Sequence, residues 1–354
     1  MKRLVGKWLL LPFSGVYGLV MAIRNWLFNS HLLVSFCPSV YTISVGNLTV
    51  GGTGKTPMIE FLIKRSVSRQ PNRSGATATL SRGYGRQTTG FRLANETDTA
   101  STIGDEPLQL YRKFSPAIRV YVGERRADAI QAIMALEPET KQVLLDDAYQ
   151  HRAVQPHLNI LLMDYNRPFY ADYPFPAGRL REGRNGARRA DAVVVTKCPT
   201  DLFATEQQRI SAKIRPYTRP DVPIFFAGLQ YDLPVSFATR QAVSRLGDVL
   251  LVSGLANASP LEQYVRQTYR LVRHVPFSDH HAYSRPDFDT LLDRLPPQTA
   301  LLTTEKDWVK LDALLTDQER ATLPLYYLPV AVRFLPGQEA RFMAFLDQSR
   351  LKNR

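Results

Sequence analysis

Ser44-Val45-Gly46-Asn47-Leu48-Thr49-Val50-Gly51-Gly52-Thr53-Gly54-Lys55-Thr56 decides the fold. A β-type run, Tyr41 to Val45, leads into it, and the helical-looking Met58-Ile59-Glu60-Phe61-Leu62-Ile63 follows. Strand, glycine-rich turn, Gly-Lys-Thr and helix is the layout of a P-loop. Glycines let backbone N–H groups turn inward around phosphate oxygens, and the following helix points its positive end at them. Gly51, Gly52, Thr53 and Gly54 are the expected phosphate cradle. Lys55 is expected on the β- and γ-phosphates and the Thr56 hydroxyl on Mg²⁺. The general pattern asks for glycine where Thr49 stands, and Gly46, Gly51 and Gly52 supply glycine nearby. A glycine-rich turn with a chance Gly-Lys-Thr is the bland alternative, and the strand–loop–helix context speaks against it.

Working outward, the chain has 354 residues, 44% hydrophobic and 22% charged, which are globular proportions with room for about two domains. The formal net charge of +13 suits anionic partners: nucleic acid, an anionic membrane surface or a phosphorylated substrate. Two cysteines, Cys37 and Cys198, make neither a disulfide framework nor a metal spacing and fit a reducing compartment.

No acidic residue precedes Glu60. Lys2, Arg3, Lys7 and Arg24 stand among Trp8, Leu9, Leu10, Leu11, Phe13, Tyr17, Trp26, Leu27 and Phe28. The uncharged run Trp8–Ile23 is 16 residues, short of the roughly 20 that a spanning helix needs. A secretory signal would export a P-loop away from ATP, and no clear cleavage site follows. Residues 1–36 are therefore expected to form a helix or helix pair in the membrane interface, basic side to headgroups. A greasy helix packed on the domain is the competing reading.

Downstream, Gln142-Val143-Leu144-Leu145-Asp146-Asp147 is an apolar strand ending in two acids, as a Walker-B strand does. Alone, a capping Asp pair explains it equally well; behind a P-loop, Mg²⁺ binding is favoured. Gly104-Asp105-Glu106-Pro107 starts a helix with acids in its first turn. An aromatic and proline-rich loop from Pro168 runs into Ala177-Gly178-Arg179-Leu180-Arg181-Glu182, where arginines beside aromatics suit single-stranded nucleic acid or a phosphorylated amphiphile. Thr196-Lys197-Cys198-Pro199 lacks the acid of a guanine-binding motif at Pro199, which favours ATP over GTP. Phe277-Ser278-Asp279-His280-His281 pairs two histidines behind an acid. A proton-shuttle or electrostatic role suits them better than metal ligation, and plain structural hydrogen bonding stays open. Alternating strands and helices imply an α/β fold, P-loop NTPase-like, of two α/β lobes with mostly parallel sheets. The expected division is 1–36 for the N-terminal segment, 37–229 for the P-loop lobe and 230–354 for a smaller C-terminal α/β lobe.

Taken in order, these pieces resemble the tetraacyldisaccharide 4'-kinase family of the lipid A pathway. The matching residues run from Gly46-Asn47 and Gly51–Thr56 through Leu80-Ser81-Arg82-Gly83-Tyr84-Gly85 and Gly104-Asp105-Glu106-Pro107. Leu145-Asp146-Asp147 with Gln150-His151, Leu180-Arg181-Glu182, Asp279-His280 and Thr303-Thr304-Glu305-Lys306-Asp307 continue the series. The resemblance implies ATP-dependent phosphorylation of the 4'-hydroxyl of an acylated glucosamine disaccharide 1-phosphate, with Mg²⁺, at the cytoplasmic face of the bacterial inner membrane. It implies Asp105 as acceptor of the sugar hydroxyl's proton, His280 as its partner and Lys55 at the γ-phosphate. Arg181 and Glu182 become active-site residues, and Thr56, Asp146 and Asp147 the Mg²⁺-associated ones. One departure stands out: Ala148-Tyr149 replaces the family's usual Gly-Phe, and a left-handed backbone at that glycine would burden Ala148.

The rivals are a P-loop kinase of a soluble substrate, a membrane-associated P-loop ATPase or nucleotide switch, and a nucleic-acid binder. The greasy basic N-terminus speaks against the first. Val50, where a dimerising switch carries its signature lysine, speaks against the second. No nucleic-acid module is present in the sequence to support the third, and no obligate protein partner is evident.

Overall fold

Apolar strands alternating with amphipathic helices build two α/β units in the computed structural model, which describes residues 2–69 and 74–352. The first unit takes residues 1–82, 116–229 and 332–354, and the second takes 83–115 and 230–331. The division differs from three contiguous ranges in two places. Residues 83–115 belong with the second unit, because the helix Asp105–Phe114 packs on the helix Glu305–Leu311 there. Residues 332–354 return to the first unit, where Phe342 packs on Phe225 and Phe61.

The first unit is organised around the strand Tyr41–Asn47, which pairs in parallel with Gln142–Asp146 on one side and Leu158–Asp164 on the other. Outward on one side lie Thr77–Ser81 and Arg119–Val122, and on the other Ala192–Thr196, Ile224–Tyr231 and Val330–Phe334. Central strands such as Leu158–Asp164 are buried at every position, as expected of a parallel sheet covered on both faces. The helix Lys55–Arg69 buries Met58, Ile59, Leu62, Ile63 and Ser66, a spacing that keeps one face on the sheet. Asp347 of the C-terminal helix Gln338–Lys352 pairs with Arg65 and Arg69 on that P-loop helix.

The N-terminus is one helix, Lys2–Asn29, running through Pro12. The side chains of Lys2, Arg3, Lys7, Trp8 and Leu9, which carry part of the membrane expectation, lie outside the described residues. Among the described residues no helix is long and apolar enough to cross a membrane.

The second unit has a five-stranded sheet in the order Arg270–Pro276, Asp248–Ser253, Thr299–Thr304, Leu325–Leu328 and Val235–Ser236. Its first four strands are parallel and the short last one is antiparallel.

Candidate active site

The strand Tyr41–Asn47 ends inside the sheet, and the chain turns through Leu48–Gly54 before the helix opens at Lys55. Gly51 at φ 112° and Gly54 at φ 83° adopt backbone that L side chains resist, which is why glycine stands there. The neighbouring strand end braces the loop. Thr196 Oγ1 donates to the Thr53 carbonyl at 2.8 Å, and Lys197 donates to the Gly52 carbonyl while pairing with Asp164 at 2.9 Å. On the other side, Val50 N donates to Arg179 O at 2.8 Å and Arg181 N to Leu48 O at 2.7 Å. The P-loop is thus held on one flank by the Thr196 and Lys197 side chains and on the other by backbone bonds, and Thr56 is half-buried in the first helical turn.

Parallel register sets Val45 opposite Asp146, so both acids emerge beside the P-loop strand. Asp146 is buried. Asp147 lies 3.6 Å from Lys55 Nζ, and both its carboxylate oxygens accept from Arg181 Nη1 at 2.8 Å. Burial works to raise the Asp147 pKa, but Lys55 and Arg181 outweigh it and hold the carboxyl below its ordinary value. Burial lowers the nearby Arg126 guanidinium to about 10, against the pull of Asp146 and Asp147. The left-handed residue of this turn is Asp147 itself, at φ 50°, and not Ala148. The substitution of Ala148 for the family's glycine therefore falls one position past the strained backbone and needs no special accommodation. Lys197, which braces the P-loop, and His280 also take left-handed backbone, each at φ 58°, as do His31, Arg240 and Gln298 outside the site groups.

Glu182 is fully buried and accepts from Arg189 at 2.6 and 2.9 Å and from Gln150 at 3.1 Å. The same Gln150 nitrogen lies 2.8 Å from the carbonyl of Asn47, at the end of the P-loop strand. The N-terminal helix joins this network. Asn25 Nδ2 donates to Glu182 at 2.7 Å and Tyr17 Oη to the Arg181 carbonyl at 2.8 Å. Of these partners, Gln150 is visible in the sequence only as part of the family series, and Tyr17 and Asn25 do not read there as site residues. A helix whose polar stripe faces inward reads, on hydrophobicity alone, as one facing the wrong way.

The second unit carries its own constellation. Asp105 opens the helix Asp105–Phe114 behind Gly104, whose φ of 95° only glycine takes readily. His280 Nδ1 lies 3.1 Å from Asp105 Oδ2, and Lys310 Nζ 3.4 Å from the same oxygen. Lys306 Nζ lies 3.0 Å from His280 Nε2 and 3.1 Å from Asp279, and the Tyr84 ring abuts the imidazole edge-on. Burial pushes the Asp105 carboxyl upward, but the His280 hydrogen bond and the two lysine charges prevail and hold it below its usual range. It is therefore a carboxylate at neutral pH. His281 turns away to Asp287 at 3.2 Å.

The expected site residues thus fall into two sets. Lys55, Asp147 and Arg181 form one ion-paired group beside Gly51–Thr56, with Asp146 and Glu182 next in sequence to its members. Asp105 and His280 form the other, with Lys306 and Lys310 added by the structure. Among the described residues no group of three or more His, Cys, Asp or Glu is arranged to hold a metal by itself.

The model of the tetraacyldisaccharide-1-P 4'-kinase family matches residues 6–350. A tetraacyldisaccharide 4'-kinase of Cytophaga hutchinsonii is 38% identical over 94% of this chain and 93% of its own length. One from Parabacteroides distasonis is 39% identical over 98% of this chain and 96% of its own. A crystal structure of LpxK from Aquifex aeolicus in complex with ATP superposes with a TM-score of 0.74 at 26% identity, covering 99% of each chain. The chain belongs to the tetraacyldisaccharide-1-P 4'-kinase family, phosphotransferases that use ATP to phosphorylate the 4'-hydroxyl of tetraacyldisaccharide 1-phosphate in lipid A biosynthesis.

Proposed function

We propose that this chain divides the family reaction among the residues of its two sets. The observation that carries the reading is the Lys55–Asp147–Arg181 group at the mouth of a braced P-loop. Lys55 neutralises the γ-phosphate of ATP, the nucleotide named with the Aquifex aeolicus relative, and the amides of Gly51, Gly52, Thr53 and Gly54 cradle the phosphates. Arg181 and Glu182 position the donor end, Arg181 directly and Glu182 from its buried site. Thr56, Asp146 and Asp147 offer only oxygen donors, a hydroxyl and two carboxylates, the ligand chemistry of a hard divalent cation, and these residues would hold Mg²⁺. A cation held by these residues would supply charge neutralisation to the ATP phosphates.

Asp105, kept ionised, takes the proton of the sugar 4'-hydroxyl as its oxygen bonds to the γ-phosphorus. The bond from that phosphorus to the β,γ-bridging oxygen breaks, and ADP leaves with the electron pair. His280 orients Asp105. The products are the 4'-phosphorylated lipid, ADP and a proton.

The acceptor is a lipid, and the N-terminal helix presents a face that suits its surface. Ser14, Tyr17, Arg24 and Asn25 turn toward the protein, while Phe13, Val16, Leu19, Val20, Ile23 and Trp26 are exposed. Polar residues in and apolar residues out reverse the usual pattern of a surface helix, and a bilayer interface removes that cost. The surplus of basic residues favours an anionic surface, and ATP supply favours the cytoplasmic face of the inner membrane. The helix acts as a peripheral or monotopic anchor.

The test is transfer of label from γ-labelled ATP to tetraacyldisaccharide 1-phosphate with Mg²⁺ present. Lys55→Ala should abolish transfer while fold and vesicle binding persist. Label appearing only in free phosphate would overturn the reading.

A further inference from the structure

We infer that Tyr17 and Asn25 of the N-terminal helix are positioning residues for the phosphoryl-donor site, acting through Arg181 and Glu182. The inference rests on the donor-site reading above and adds a part of the chain to it.

The segment 177–182 lies between the helix and the P-loop and is bonded to both. On the helix side, Ser14, itself buried, accepts from Ala177 N at 2.8 Å, and Tyr17 donates to Arg181 O at 2.8 Å. On the P-loop side, Thr49 and Leu180 form an antiparallel bridge, flanked by the backbone bonds from Val50 to Arg179 and from Arg181 to Leu48. The Arg181 residue is therefore fixed at its N–H by the P-loop and at its carbonyl by Tyr17. Its guanidinium meets the Asp147 carboxylate, which Lys55 also approaches at 3.6 Å.

Asn25 works on the next residue. Its amide donates to Glu182 Oε2, while Gln150 bonds both Glu182 Oε1 and the Asn47 carbonyl. Arg24 bonds the Gln150 carbonyl at 3.0 Å, so the helix holds both Glu182 and Gln150. A greasy anchor needs none of this. Anchoring is served by the exposed apolar face, whereas these contacts come from the opposite, polar stripe. Phosphoryl transfer depends mainly on the placement of charged groups, so small displacements of Arg181 are costly to rate.

The experiment compares Tyr17→Phe, Asn25→Ala and the double variant with wild type, all full-length, in mixed micelles containing tetraacyldisaccharide 1-phosphate. The double variant should lose about tenfold in kcat, less than the roughly hundredfold that a 1 Å misplacement can cost. KM for the lipid, flotation with anionic vesicles and thermal midpoint should stay near wild type. Tyr17→Phe is also placed in an Arg181→Ala background, and Asn25→Ala in a Glu182→Gln background. If Tyr17 acts through the Arg181 side chain, its effect vanishes there, because the two are coupled. Additive losses would overturn the positioning role and leave a structural one. Unchanged kcat in the double variant, with Arg181→Ala strongly impaired, overturns the inference alone. An Arg181→Ala enzyme with wild-type kcat removes the donor-site reading and the inference with it.

Discussion

Lys306 Nζ stands 3.0 Å from His280 Nε2, and that contact fixes what the histidine can offer Asp105. A lysine ammonium only donates, so Nε2 must carry the lone pair and Nδ1 the proton. The Nδ1–H then points at Asp105 Oδ2, 3.1 Å away, and the ring steers that carboxylate. Asp279 holds Lys306 from its other side at 3.1 Å. Asp105→Asn should lower kcat by about 10²–10⁴, the usual worth of a general base, with ATP affinity near wild type. Lys306→Met frees the other tautomer and should cost a smaller part of that factor. The two together should cost little more than Asp105→Asn alone, because the lysine acts on the same group. Steady-state kinetics over the three variants measures it, and multiplicative losses would detach Lys306 from the pair.

Gly46 sits on the P-loop strand with no room for a side chain. A Cβ there would stand 2.6 Å from Tyr149 Cβ and 3.0 Å from its backbone nitrogen. Tyr149 cannot yield: it is buried, its hydroxyl donates to Gly186 O at 2.8 Å, and Arg189 lies over its ring at 4.8 Å. Intrinsic propensity favours Ala over Gly in a strand by roughly 0.5–1 kcal/mol. Overpacking costs about 1–3 kcal/mol, so Gly46→Ala should be net destabilising. Urea denaturation gives the sign, and a more stable variant would contradict this packing.

His151 supplies a pH dependence. Burial, then the charges of Arg126, Arg24 and Arg82, push its pKa from 6.5 down to about 4. Its Nε2 accepts from the backbone N–H of Arg126 at 3.4 Å, which the neutral ring permits. Between those two values the unfolded chain binds a proton that the folded one refuses, so stability rises with pH across that window. It is fully present above 6.5 and is lost progressively as pH falls toward about 4. His151→Gln should flatten the slope between pH 6.5 and 4 in denaturant titrations. An unchanged slope would mean that other groups set it.

Much of the site was legible because its chemistry is local. Gly51–Thr56 and Leu145-Asp146-Asp147 are strand ends with their functional residues attached, and short spacing carries them. The Asp105–His280 contact spans 175 positions and came from family resemblance, since no spacing could state it. The extent of the units was less legible. Nothing local marks 83–115 as belonging with strands far downstream, because that allegiance is made by helix-on-helix packing. The polar stripe of the N-terminal helix was hidden for a different reason: Tyr17 and Asn25 gain meaning only from partners more than 150 residues away.

The outward face of that helix yields the last prediction. Val16 is 64% and Val20 58% exposed, one turn apart on a face that also carries Phe13, Ile23 and Trp26. In water an aspartate at either position meets no neighbour to displace, so Val16→Asp/Val20→Asp should leave the thermal midpoint close to wild type. In a bilayer interface each valine withdrawn from water is worth about 1.5–3 kcal/mol when fully buried, and each aspartate adds charge repulsion from anionic headgroups. Flotation with anionic vesicles should therefore fall sharply in the double variant. Transfer to a detergent-dispersed acceptor should survive, since the inward stripe that holds Arg181 and Glu182 is untouched. Wild-type flotation would show that this face serves something other than lipid. Loss of transfer in detergent would show that anchor and donor site are not separable along the two sides of one helix.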